Sequence, residues 1–159
     1  MKSRWIYAVV LSVAAFVLPL PAAHADFAKG AAAYRQQDYA TAFAEFRASA
    51  HKGDAKSQAG LGLMYLNGEG VARDVGQAIA WTRKAAEAGL DDAQVHLADM
   101  YATGTGLPQS RAEALLWYRK AEALGAMEAE FNLGLMYRYG RGVAQSDQKA
   151  LSWYPSPSC

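Results

Sequence analysis

The sequence predicts an all-α fold, an α/α solenoid of stacked helix-turn-helix repeats, and three observations predict it. Unlike residues recur every 36 positions: Tyr65, Tyr101 and Tyr137; Trp81, Trp117 and Trp153; Leu61, Leu97 and Leu133; Met64, Met100 and Met136. So many different side chains at one spacing mark a repeat architecture. Within each period the apolar residues fall at helical intervals, as Leu133, Met136 and Tyr137 do at i, i+3 and i+4. Glycines punctuate the period, Gly68, Gly104 and Gly140 each being followed two residues later by Gly70, Gly106 and Gly142. No segment alternates apolar and polar residues over a length that a strand needs.

The first 25 residues read as an export signal. Lys2 and Arg4 form a basic start, Ile6 to Leu18 is an apolar run, and Pro19 and Pro21 break it before Ala23-His24-Ala25. Small residues flanking one position are the pattern that signal peptidase favours, so cleavage is expected after Ala25. The run is shorter than the roughly 20 apolar residues of a membrane-spanning helix. Removing Lys2 and Arg4 takes the formal charge from +1 to −1. The expected mature chain is periplasmic or secreted, with no stable membrane span.

Residues 26–54 precede the regular repeats, and Ala42 extends the series Ala78, Ala114, Ala150 back into them. The Tyr34-to-Ala42 interval is shorter than Tyr65-to-Ala78, which implies a tighter turn, at Gln37-Asp38. Repeats follow at 55–90, 91–126 and 127–159. Each begins with a short helix, such as Ala129 to Tyr139, that stops at a glycine able to adopt a left-handed conformation without a Cβ clash. A second helix follows, such as Arg111 to Leu124, with Ser110 and Glu113 spaced as a capping box. Asp74 and Asp147 stand near the starts of the matching helices, where a carboxylate suits the dipole. Gly53, Gly89 and Gly125 close the units. Gly62, Ala98 and Gly134 keep one position of the first helix small, which lets the helices of a pair approach closely. One pair cannot bury the Tyr and Trp face alone, and stacked neighbours can.

Composition bounds the chemistry. The 159 residues are 52% hydrophobic and 19% charged, enough apolar content for a core. Sixteen Lys and Arg against 15 Asp and Glu leave no field to recruit nucleic acid. The one cysteine, Cys159, excludes an internal disulfide framework and a cysteine-rich zinc site. The G-x-G turns lack the third glycine and preceding strand of a dinucleotide loop and read as helix stops. His96 and Asp99 share a helix face, but Gly60 and Asn132 occupy the His96 position elsewhere and no third ligand is in view. His51 reads as a dipole partner late in a helix. No Ser lies in a nucleophile elbow. Arg138 and Arg141 read first as a solvated turn, with a grip on a carboxylate or phosphate as the alternative. No catalytic residue, metal or cofactor is expected.

The strings Ala59 to Gly89 (AGLGLMYLNGEGVARDVGQAIAWTRKAAEAG) and Ala129 to Tyr154 (AEFNLGLMYRYGRGVAQSDQKALSWY) resemble Sel-1-like repeats, helix-turn-helix units of the tetratricopeptide superfamily. Residues 26–54 are similar to a tetratricopeptide unit. The resemblance implies a non-enzymatic module or adaptor that binds a protein or peptide in a concave groove lined by the first helices. By register the groove positions are Lys56, Ala59, Leu63 and Leu66; Asp92, Val95, Asp99 and Ala102; and Glu128, Phe131, Leu135 and Arg138. Cysteine-rich relatives linked to penicillin binding and hydrolysis carry a disulfide in each repeat, and the lack of internal cysteines here removes the support for a hydrolase. After Tyr154 the chain reads PSPSC where the register calls for more helix, and Pro155 ends the last helix early. That end is either a truncated copy of a longer array, even one without activity, or a face that a partner or a second copy covers.

Export is directly checkable. Protein recovered from the periplasm should begin at Asp26 by N-terminal sequencing; full-length cytoplasmic protein retaining Met1 contradicts the expectation.

Overall fold

A computed structural model describes residues 22–153; most of the expected leader and the chain after Trp153 lie outside the described residues. Eight helices occupy that span: α1 (Ala22–Arg35), α2 (Tyr39–His51), α3 (Ala55–Asn67), α4 (Val75–Glu87), α5 (Asp91–Thr103), α6 (Arg111–Glu122), α7 (Met127–Tyr139) and α8 (Asp147–Trp153). The position expected for cleavage, after Ala25, falls within α1. Each helix packs on its neighbours in sequence, and α1 also touches α3.

Local chemistry sets the helix ends. Asp54 and Asp74 accept the amides of Ser57 and Gln77 at 2.7 and 3.0 Å, satisfying donors that the first turn leaves free. Ser110 caps α6 through the Glu113 amide at 3.3 Å. The expected two-sided capping box is one-sided, because the Ser110 amide is taken by the Tyr101 carbonyl at 2.9 Å. Asp74 and Ser146 make the same bond to Tyr65 and Tyr137, so the link belongs to the turn of every repeat. Ser146 caps α8, and Asp147 is its first residue. Gly68, Gly104 and Gly140 end α3, α5 and α7 in the left-handed conformation, with φ of 76°, 77° and 63°.

The repeated residues make the core. Leu61, Leu97 and Leu133 are at most 1% exposed, and Trp81, Trp117 and Tyr137 are buried. Tyr65 and Tyr101 are half-buried, as is Trp153, which packs on the cluster around Leu97, Trp117 and Leu133. Arg83 donates to the Tyr101 hydroxyl at 2.9 Å and Arg119 to that of Tyr137 at 2.6 Å, so α4 and α6 are each tied to the first helix of the next unit. At Gly62 the two helices of a pair nearly touch: an added Cβ would lie 2.7 Å from Thr82 Oγ1.

The second glycine of each turn joins units together. A Cβ on Gly70 would come within 2.3 Å of the Tyr39 carbonyl oxygen, on Gly106 within 2.3 Å of Val75 Cγ1, and on Gly142 within 2.6 Å of Arg111 Cβ. Tyr39, Val75 and Arg111 are the first residues of α2, α4 and α6. Each turn therefore presses on the start of the preceding unit's second helix.

This contact separates two glycine substitutions. Gly53 and Gly70 both have positive φ, 93° and 70°, so alanine at either position pays roughly 1–2 kcal/mol for its conformation. A Cβ on Gly53 meets nothing within 4 Å. Gly70→Ala should therefore lose about 3 kcal/mol or more in denaturant unfolding, well beyond Gly53→Ala. Equal losses would mean that the turn does not press on α2.

Candidate partner groove

The first helix of each pair leaves one side uncovered by its partner. On α3 the residues there are Lys56, Gly60 and Leu63; on α5 Asp92, His96 and Asp99; on α7 Glu128, Asn132 and Leu135. The i, i+4, i+7 spacing places each set in one line along its helix. Clefts connect these lines. One of about 440 Å³ lies between α1 and α3 and reaches the start of α5; its apolar walls are Phe27, Ala31, Phe46, Ala59, Leu63 and Leu90, with Arg35, Lys56 and Asp92 also lining it. A shallow hollow of about 130 Å³ joins Leu63 to Asp92 and His96. A third cleft of about 590 Å³ lies among α5, α6 and α7.

Lys56, Ala59, Leu63 and Asp92 come together at the first cleft, and Asp99, Ala102 and Leu135 at the third. Val95 does not join them: it is 5% exposed and sits in the core with Leu97 and Ala98. The cause is enclosure, since α5 also buries Ala93, Gln94 and Met100 and leaves only a narrow arc open. Leu66 is half-buried, Glu128 is exposed, and Phe131 is 53% exposed on α7. Arg138 lines a separate hollow with Tyr139, Asp147 and Leu151, between the end of α7 and α8.

Other lining residues escaped the register. Phe27, Ala31 and Tyr34 come from α1, whose shorter turn puts it outside the 36-residue spacing. His96, Arg111 and Asn132 also line clefts, and the signal for them is that each departs from the residue its repeat position holds elsewhere; Tyr118 lines one too but keeps its register with Tyr154 in the sequence and carries no such signal.

The floor of the first cleft follows from two glycines. Phe46 enters between Gly30 and Gly60, where added Cβ atoms would meet its ring at 2.6 and 3.0 Å. Phe27 stacks on Phe46 with 5.7 Å between ring centres, and Lys56 Nζ lies 5.9 Å from the Phe27 ring. The Tyr34 hydroxyl donates to Glu69 Oε2 at 2.7 Å, and that bond, with smaller help from burial, pushes its pKa up to about 12.

In the third cleft the Tyr118 hydroxyl donates to Asp99 Oδ1. Burial first, and then this bond, hold the Tyr118 pKa well above the usual range. Asp99 thus pairs with Tyr118, and His96 faces the hollow beside Asp92. His51 Nδ1 donates to the Arg47 carbonyl at 2.7 Å and its ring meets Trp81 edge-on. Among the described residues no group of three or more His, Cys, Asp or Glu side chains is placed to hold a metal ion.

Both tyrosines make stability fall in alkali. A folded pKa above the ordinary value of 10 gives a contribution that is full below pH 10 and fades as the hydroxyl ionises, for Tyr34 between about pH 10 and 12. Tyr34→Phe should flatten part of the decline in unfolding free energy over that window. Tyr118→Phe should cost about 1–2 kcal/mol already at neutral pH, because Asp99 loses its donor. Denaturant unfolding at a series of pH values, with tyrosinate absorbance followed alongside, checks both.

The family model for the Sel1 repeat matches residues 55–90, 91–125 and 128–154. Among solved structures, a Sel1 repeat protein from Oxalobacter formigenes is 33% identical, with a TM-score of 0.79 over 83% of this chain and 56% of that one. Another is c5321, a protective antigen present in uropathogenic Escherichia coli strains and displaying an SLR fold; it is 36% identical, with a TM-score of 0.78 over 83% of this chain and 29% of that one. This chain thus spans about half of the first protein and less than a third of the second. No curated protein matches. Repeat matches over more than half the chain, on a helix-pair stack with the same course, place this protein in the Sel1 repeat family.

Proposed function

We propose that the protein is an exported, non-enzymatic interaction module that holds a peptide or protein segment against the exposed line of its first helices. Sel1 repeat solenoids are generally interaction scaffolds, which supports the class. The observation that carries the reading is the apolar cleft between α1 and α3. Exposed apolar surface rimmed by charge is what a binding surface offers, and here Leu63 is 42% exposed between Lys56 and Asp92. A segment with a bulky apolar side chain, crossing α3 toward α5, fits that arrangement. Export rests on the basic start, the apolar run and the Ala-His-Ala site. Among the described residues no helix is long and apolar enough to cross a membrane.

The test is retention of envelope proteins by the tagged mature chain, compared with Leu63→Glu. Leu63 is exposed, so the substitution should leave the helical circular dichroism intact while placing a charge in the cleft. A protein retained by the parent should be lost from the variant. Identical retention by both would remove the cleft from the binding surface.

A further inference from the structure

The third cleft differs in chemistry from the rest of the groove, and the difference is absent from the repeat. Arg111 stands where α4 has Val75 and α8 has Asp147, and Asp99 where α3 has Leu63 and α7 has Leu135. Arg141 stands where the other turns have Glu69 and Thr105. The stack forms at the earlier junction without the two arginines, so packing does not call for them. One close contact brings the two arginines to the same cleft: Gly142 lies against Arg111, and Arg141 is the residue before it, its guanidinium also 5.3 Å from the centre of the Tyr139 ring. Both are exposed and both line the cleft. Asp99, the acid in its lining, already accepts the Tyr118 hydroxyl, and Glu128 acts on that hydroxyl from outside the lining, so within the cleft two arginines face one carboxylate. Leu135 and Met136 form an apolar wall, and Asn132 adds an amide.

We propose that this cleft binds the C-terminal residue of a peptide partner, with Arg111 and Arg141 on its free carboxylate. Guanidinium groups present paired donors that match a carboxylate's two oxygens. A chain terminus joins a carboxylate and an apolar side chain to the same Cα, which suits a cleft that is cationic on one side and apolar on the other. An internal Asp or Glu supplies the anion without the apolar group. Asn132 is placed for the last peptide amide. The inference rests on the groove reading and gives the peptide a direction, its C-terminus lying toward α7.

The test uses the mature protein on a support and three pools of random octapeptides: one ending in Leu with a free carboxylate, one ending in Leu amide, and one ending in Asp amide. Retention is read by mass spectrometry. The parent should enrich the Leu carboxylate pool roughly tenfold over the Leu amide pool, the size expected of one charge-assisted contact. In Arg111→Gln and Arg141→Gln that ratio should fall toward one. Being a ratio within each variant, it does not depend on how much of the variant is folded. Equal retention of the two Leu pools by the parent overturns the terminal site and leaves the groove reading standing. A ratio that persists in both arginine variants, or an Asp amide pool enriched as strongly, also overturns it. If the parent retains no pool, the groove reading fails as well.

Discussion

The stack depends on how closely the turn of one unit can approach the second helix of the unit before it. Gly70, Gly106 and Gly142 sit where any Cβ would strike the first residue of α2, α4 or α6. Around that contact the remaining turn is over-determined. The amides of Asp74, Ser110 and Ser146 bond the carbonyls of Tyr65, Tyr101 and Tyr137. The side chains of Arg73, Gln109 and Gln145 reach the carbonyls of Leu66, Ala102 and Arg138 at 2.9, 2.8 and 2.9 Å. A short turn fixed in this way sets the angle between helices, and that angle, repeated, produces a stack in which each unit leans on its neighbours.

Burial follows from this spacing. With the turn held close, Trp81 and Trp117 are covered and the arginines beside them reach across to Tyr101 and Tyr137. Lys84 and Lys120 lie over the same indole rings at 4.0 and 3.9 Å, so cations close the open edge of each aromatic layer. Gln58 and Gln94 repeat one bond between units, their side-chain nitrogens donating to the Ala50 and Ala86 carbonyls at 3.2 and 3.0 Å.

Residues that keep the period and residues that break it do different work. The periodic ones close turns, fill the core and tie units together, and they look alike because each junction has the same geometry to satisfy. Lys56, Asp92, His96, Asp99, Arg111, Asn132 and Arg141 change from one unit to the next, and they gather along the clefts. The result is a surface that is apolar beside α1 and increasingly polar toward α7, built on a frame that is almost the same throughout.

The sequence alone determined the helix-pair repeat, its register and most of its core. Leu61, Leu97, Leu133, Trp81 and Trp117 are buried as their spacing requires, because one geometry used several times leaves a signal at fixed intervals. The clefts were legible only in part. Lys56, Leu63, Asp92, Asp99 and Leu135 line clefts as their register implies, whereas Val95 is enclosed and Arg138 faces another hollow. The tertiary structure decided those cases, because whether a helical position is open depends on how the adjacent helices lean over it. It also decided the role of α1, whose shorter turn removes it from the 36-residue count, and the meeting of Arg111 with Arg141. Those two residues are separated by the lengths of α6 and α7, and the pressing of Gly142 onto the start of α6 brings them to one cleft.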